Sequence, residues 1–118
     1  MKTTKIMQHL IGKTYKEVVE NLRYEEDGGD CCGWGSCDIE DSLESLSDKE
    51  NAVLIDVVEI YYDEDDFERC VVNFIFDLGS NKGLILGYDL SAGSRSGWAY
   101  GAYVNLYYGD EEVASVQW

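Results

Sequence analysis

YEEDGGDCCGWGSCDIEDSLESL, residues 24–46, separates a mildly basic start from a strongly acidic remainder. Through Arg23, five Lys and Arg stand against two Glu, a net of +3, so the residues beyond must carry −18 to give the formal net charge of −15. The stretch also concentrates Gly28, Gly29, Gly33 and Gly35 with Cys31, Cys32 and Cys37. Clustered glycines predict a tight loop, in which the glycines flanking Trp34 permit positive φ and fold the indole back over the core, an exposed anchor being the alternative. Beyond the loop, Asp38 suits a helix N-cap with Asp41 in the first turn. Ile39, Leu43 and Leu46 recur at i, i+4 and i+7, which predicts a two-turn helix over 39–46.

Upstream, Ile6, Met7, Leu10 and Ile11 form an apolar stripe at helical spacing over 4–11, and Gly12 supplies a stop. Thr14 can cap a second helix because Glu17 follows at the capping-box spacing, and Tyr15, Val18, Val19 and Leu22 share a face. His9 reads as a surface side chain.

Downstream of residue 52 the period changes to two, and β-branched and aromatic residues dominate. AVLIDVVEIYY (52–62) is apolar on both parities, as in a central strand covered on both faces or one broken by a bulge near Asp56. CVVNFIFD (70–77) alternates, with Cys70, Val72, Phe74 and Phe76 on the buried face. GSNKG turns the chain and LILGYDL returns as the other half of a hairpin. SAGSRSG (91–97) reads as a loop, WAYGAYVNLYY (98–108) as a strand with Ala102, Val104, Leu106 and Tyr108 on one side, and VASVQW as a last short strand. The predicted fold class is α+β: an antiparallel four- to five-stranded meander sheet with two or three short N-terminal helices packed on one face, in a single domain spanning 1–118.

A chain of 118 residues is long enough to bury a core without disulfides or metal, and 45% apolar content is well above that of a disordered acidic chain. No apolar run approaches the roughly 18–20 residues that span a bilayer, and MKTTKIMQHLIGK lacks the unbroken apolar segment of a signal peptide. A cytoplasmic location is expected. The negative field opposes direct contact with nucleic acid or anionic membranes and favours a basic protein partner.

Vicinal Cys31 and Cys32, a gap, then Cys37 do not make the paired CxxC arrangement of a zinc cage, so structural thiols and no metal or other cofactor are expected. The run Asp63, Glu64, Asp65, Asp66, Glu68 lacks the glycine and ligand spacing of an EF-hand and reads as a solvated hairpin tip or a partner-binding patch. Tyr103 and Tyr107 fall on the odd, outward parity of their strand, where exposed rings beside carboxylates would make an interface. No nucleophile with a base and orienter, no P-loop and no HExxH motif points to catalysis.

LIGKT at 10–14, DCC at 30–32 with IED at 39–41, and GSRSGWAYGAYVNL at 93–106 resemble a family of small phage and bacterial proteins known only as a domain of unknown function. The resemblance implies a phage context and transfers no catalytic residues. Charge and resemblance together lead to the expectation of a small, non-enzymatic phage-type accessory protein. It would inhibit a basic host protein, a nuclease or other nucleic-acid-binding protein, by presenting a nucleic-acid-like surface, as in anti-CRISPR or other counter-defence. Its contact residues would be Asp63, Glu64, Asp65, Asp66, Glu68, Tyr103, Tyr107, Asp110, Glu111 and Glu112. The alternative is a small ligand- or metal-binding module built on the Gly/Cys loop 28–37.

Overall fold

The computed structural model describes residues 2–5, 8–29, 32–62, 67–94 and 101–118, with side chains from residue 9 onward. In chain order they form β1 (Lys2–Lys5), α1 (Tyr15–Asn21), β2 (Leu22–Asp27), β3 (Gly33–Asp41), β4 (Val53–Tyr62), β5 (Phe67–Leu78), β6 (Asn81–Ser94), β7 (Tyr103–Tyr108) and β8 (Glu111–Gln117). Two short 3-10 turns, Gln8–Leu10 and Lys49–Asn51, complete the described elements. The strands make a five-stranded sheet in the order β1-β4-β5-β6-β3 and a three-stranded sheet in the order β2-β7-β8. Every pairing is antiparallel.

This is a two-sheet β structure and not the predicted α+β meander with two or three helices. Long-range pairing overrides the helical spacing read at both ends of the 24–46 stretch. Residues 33–41 pair one for one with β6 from Gly33↔Ser94 to Asp41↔Leu86, which takes Asp38 and Ile39 into a strand and leaves only turns after Asp41. Of the proposed helical stripe only Leu43 is fully buried, while Ile39 is 51% exposed. Of the predicted 4–11 helix, Thr4 and Lys5 instead belong to β1, which lines β4 from Val58 to Tyr61, and Gln8–Leu10 makes only a 3-10 turn. β5, not β4, is the middle strand of its sheet, and β7 and β8 build the second sheet with β2. SAGS of the predicted 91–97 loop continues β6 to Ser94.

α1 does form where the cap was read: the Thr14 hydroxyl accepts the Glu17 N–H at 3.3 Å. Tyr15 and Val18 are buried, and the Tyr15 ring meets Phe76 edge-on at 5.6 Å. The Tyr15 hydroxyl donates to Asp41 Oδ2, tying the helix to the end of β3. The β4–β5 ladder slips between Leu54 and Asp56, the bulge that the two apolar parities of this strand suggested. In the β5–β6 hairpin Gly83, at φ +73, is the extra residue of a second bulge.

One core fills the space between the sheets. Val57, Cys70, Val72, Phe74, Phe76, Leu86, Leu90 and Ala92 from the larger sheet meet Val104, Leu106, Ala114 and Val116 from the smaller. Glu59 and the thiol of Cys70 are buried in it together, with Sγ donating to Glu59 Oε1 at 3.8 Å.

The Gly33-Trp34-Gly35 segment is a strand of period two, with glycines inward and the indole outward. A Cβ at Gly35 would lie 2.7 Å from the Tyr103 carbonyl oxygen and 3.2 Å from that of Asp27, so here the two sheets approach backbone to backbone. Trp34 lies on the other side, over Gly93 and 5.8 Å from the Phe67 ring, and not over the core as the loop reading expected. Gly35→Ala should therefore push the sheets apart and cost about 1–3 kcal/mol, an overpacking penalty. Thermal unfolding measures this, and an unchanged melting temperature would show that the sheets do not close at Gly35.

Candidate functional site

The outer face of the five-stranded sheet carries the second row of each strand. Val58, Ile60 and Tyr62 come from β4, Arg69, Val71, Asn73 and Ile75 from β5, and Ile85, Gly87 and Asp89 from β6. Asp38 and Glu40 of β3 stand opposite Asp89 and Gly87. Most of this row is apolar and half-buried, with Ile85 39% exposed. The core, α1 and the smaller sheet lie on the other side. An apolar outer row on a sheet that the described residues cover from one side only is the mark of a contact surface.

A groove of ≈ 630 Å³ crosses this face, lined by residues that include Asp38, Glu40, Tyr62, Arg69, Ile85 and Asp89. The Arg69 guanidinium meets Asp89 in a fork, Nε to Oδ1 at 3.0 Å and Nη2 to Oδ2 at 2.8 Å. It also lies 4.6 Å from the centre of the Tyr62 ring. Paired in this way, Arg69 neutralises Asp89 and leaves the charge of Asp38 and Glu40 to set the sign of the groove. The floor is low because residue 87 is glycine: a Cβ there would stand 2.9 Å from Asn73 Oδ1.

The outer face of the three-stranded sheet is different in kind. Its register sets Arg23, Glu25 and Asp27 of β2 opposite Tyr107, Asn105 and Tyr103 of β7, with Glu112 and Ser115 of β8 on the far side. Ser115 Oγ donates to Asn105 Oδ1 at 2.6 Å and Asn105 Nδ2 to the Tyr107 hydroxyl at 3.3 Å, which links the side chains across this face. Arg23 lies 4.3 Å over the Tyr107 ring and 3.1 Å from Glu25. Glu25, Asp27 and Glu112 are exposed.

The contact residues expected from sequence are divided by this geometry. Asp63, Glu64, Asp65 and Asp66 lie outside the described residues. Glu68 is exposed at the start of β5, opposite Ala92. Asp110, Glu111 and Glu112 lie on the β7–β8 turn and the start of β8, where Gly109 N–H donates to the carbonyl of Asn21 at the end of α1. Through Ala92 and Gly35, Glu68 belongs with the Tyr103 end of β7, so Glu68 and the group Asp110, Glu111 and Glu112 sit at opposite ends of the sandwich. Glu111 pairs with exposed His9 at 3.1 Å.

Sequence reading missed Glu25 and Asp27 because residues beyond 24 were placed in a loop. Tyr62 and Arg69 were findable, since they flank the acidic run and pair directly when the hairpin is counted inward from it.

The Gly/Cys segment 28–37 does not form an open loop site over its described residues. Cys37 sits in β3 opposite Leu90. Burial, then the nearby Glu26 and Asp38, push its thiol up to about 12. Burial, then Glu59, push the Cys70 thiol up to about 12 as well. Both stay protonated and weakly nucleophilic near neutrality. Among the described residues no three His, Cys, Asp or Glu side chains gather as a metal site. No helix among them is long and apolar enough to cross a membrane.

No family model, curated protein or solved structure matches this chain.

Proposed function

We propose that the protein is a small, non-enzymatic accessory protein of phage type that inhibits a basic, nucleic-acid-binding host protein by offering carboxylates where phosphates would sit. Anti-CRISPR or other counter-defence activity is the setting in which such an inhibitor acts. The observation that carries the reading is the outer face of the three-stranded sheet, where Glu25, Asp27 and Glu112 flank Tyr103 and Tyr107. Glu25 and Asp27 stand two residues apart on one face of β2, about 6.6 Å along the strand, and Glu112 lies across β7 from them. Tyrosines between them supply rigid contact area at low entropic cost. The net charge of −15 exceeds the magnitude of about 2–8 that solubility needs in a small domain.

A pull-down from host lysate at low and high salt identifies the partner, which should elute with salt. With that partner, the triple variant Glu25→Gln, Asp27→Asn, Glu112→Gln should slow association by about tenfold at low salt, with little change in dissociation. Neutralising Asp63, Asp65 and Asp66 instead tests the other acidic cluster. If neither triple variant alters association across a salt series, the nucleic-acid-mimic reading is wrong.

A further inference from the structure

We propose that the groove on the outer face of the five-stranded sheet is a separate docking site that takes an arginine side chain, flanked by apolar residues, from an extended segment of a protein partner. This site is independent of the proposed inhibitory face, because the two lie on opposite sides of the sandwich.

Shape comes first. At ≈ 630 Å³ the groove falls within the range of about 300–1,000 Å³ in which side chains and small ligands are held. Its apolar lining from Val71 and Ile85 continues into the half-buried row of Val58 and Ile60, so a segment lying across it gains apolar burial on both sides of the depression. Charge then selects the occupant. Asp38 and Glu40 stand on the β3 wall, and Arg69, the one guanidinium lining the groove among the described residues, is held in a fork by Asp89. A cation is attracted; an anion, a nucleic acid or an acidic lipid surface is repelled. A second copy of this chain is disfavoured for the same reason, since each copy carries −15 and would bring its own Asp38 and Glu40 to the contact.

The choice of guanidinium over ammonium rests on geometry already present in the groove. Arg69 is held flat between a carboxylate fork and an aromatic ring, 4.6 Å from the Tyr62 centre. Glu40 and Asp38 sit one strand further along the same face and present carboxylates to which a second planar fork can bind in the same manner. Gly87 keeps the approach open, because no side chain rises between Asn73 of β5 and Glu40 of β3.

The test is a titration of the full chain, followed by amide ¹H–¹⁵N shifts, with acetyl-Leu-Arg-Leu-amide, and with its Leu-Lys-Leu and Leu-Glu-Leu counterparts. Saturable shifts confined to Asn73, Gly83, Ile85 and Gly87 are expected with the arginine peptide, weaker ones with lysine and none with glutamate. Asp38→Asn with Glu40→Gln should weaken arginine binding by about tenfold, the loss of one charge-assisted contact, and both positions are exposed. Ile85→Arg, which places a cation at the mouth of the groove, should abolish it. Glu25→Gln with Asp27→Asn should leave it unchanged, so failure here and failure of the inhibitory reading are distinguishable. Shifts that spread over the acidic surface without saturating, equal affinity in the Asp38/Glu40 variant, or shifts of the same amides on concentrating the protein alone would each overturn the assignment. The last of these would give the face to a second copy.

Discussion

Between pH 10 and 12 the protein should lose its fold in one cooperative step, with tyrosinate absorbance rising as near-ultraviolet circular dichroism collapses. Tyr15, Tyr88 and Cys70 are buried in the core, and each holds its proton more tightly folded than unfolded. Burial, then the charges of Cys37 and Asp41, push Tyr88 from its ordinary 10.0 up to about 12. Burial, then the hydrogen bond to Asp41, raise Tyr15 further. Cys70 rises from 9.0 to about 12, mainly through burial. A raised folded pKa contributes stability that is complete below the ordinary value and drains away as the pH climbs toward and through the folded one. Each such group removes about 1.4 kcal/mol per pH unit in that window. Three together remove roughly 4 kcal/mol per unit above pH 10, against a total stability of about 5–15 kcal/mol. Tyr88→Phe should flatten the slope by one proton. If the resonances of Tyr15 and Tyr88 themselves titrate near 10 in an intact fold, this account of the core is refuted.

Phe74→Ala should be the most damaging single truncation. Phe74 lies in the middle of the central strand, has no exposed surface, and meets the Tyr88 ring edge-on at 6.1 Å. Removing a phenyl ring from such a site costs about 3–5 kcal/mol, because the lost transfer energy adds to a cavity that a two-sheet core cannot collapse without bending a strand. For a domain of this size that corresponds to a fall of roughly 10–30 °C in the melting temperature. Ile75→Ala, one residue along on the outer face, should cost far less. Equal losses at the two positions would mean that the outer face is covered in solution.

The contrast between Phe74 and Ile75 was legible in the sequence, since the alternation of residues 70–77 lies within one strand and needs no knowledge of its neighbours. The same holds for the Thr14 cap and for Tyr103 and Tyr107, which do lie on the outward row of β7. β3 was illegible for a specific reason. Its inward positions at 33 and 35 are glycines, so the periodic signal is missing where the backbone of the second sheet takes the place of side chains. The division into two sheets was hidden as well, because it depends on β2 finding β7, a pairing that no local pattern encodes. The groove follows suit in part: Tyr62 and Arg69 are paired by the hairpin they flank, but Asp38 meets Asp89 only once β3 has found β6.

The strand order also bears on how the chain behaves while it is being made. β1 waits for β4, β3 for β6, and β2 for β7, so the first three strands to leave the ribosome each lack a partner until much later segments follow. Unpaired strands in a slow, non-local topology are openings for aggregation. In β2 and β3 the exposed carboxylates Glu25, Glu26, Asp27, Asp38 and Glu40 act as gatekeepers during that wait, keeping nascent edges apart by repulsion. The charge proposed to face a partner would thus already have served during synthesis, and neutralising it should lower soluble yield before it lowers the stability of the folded protein.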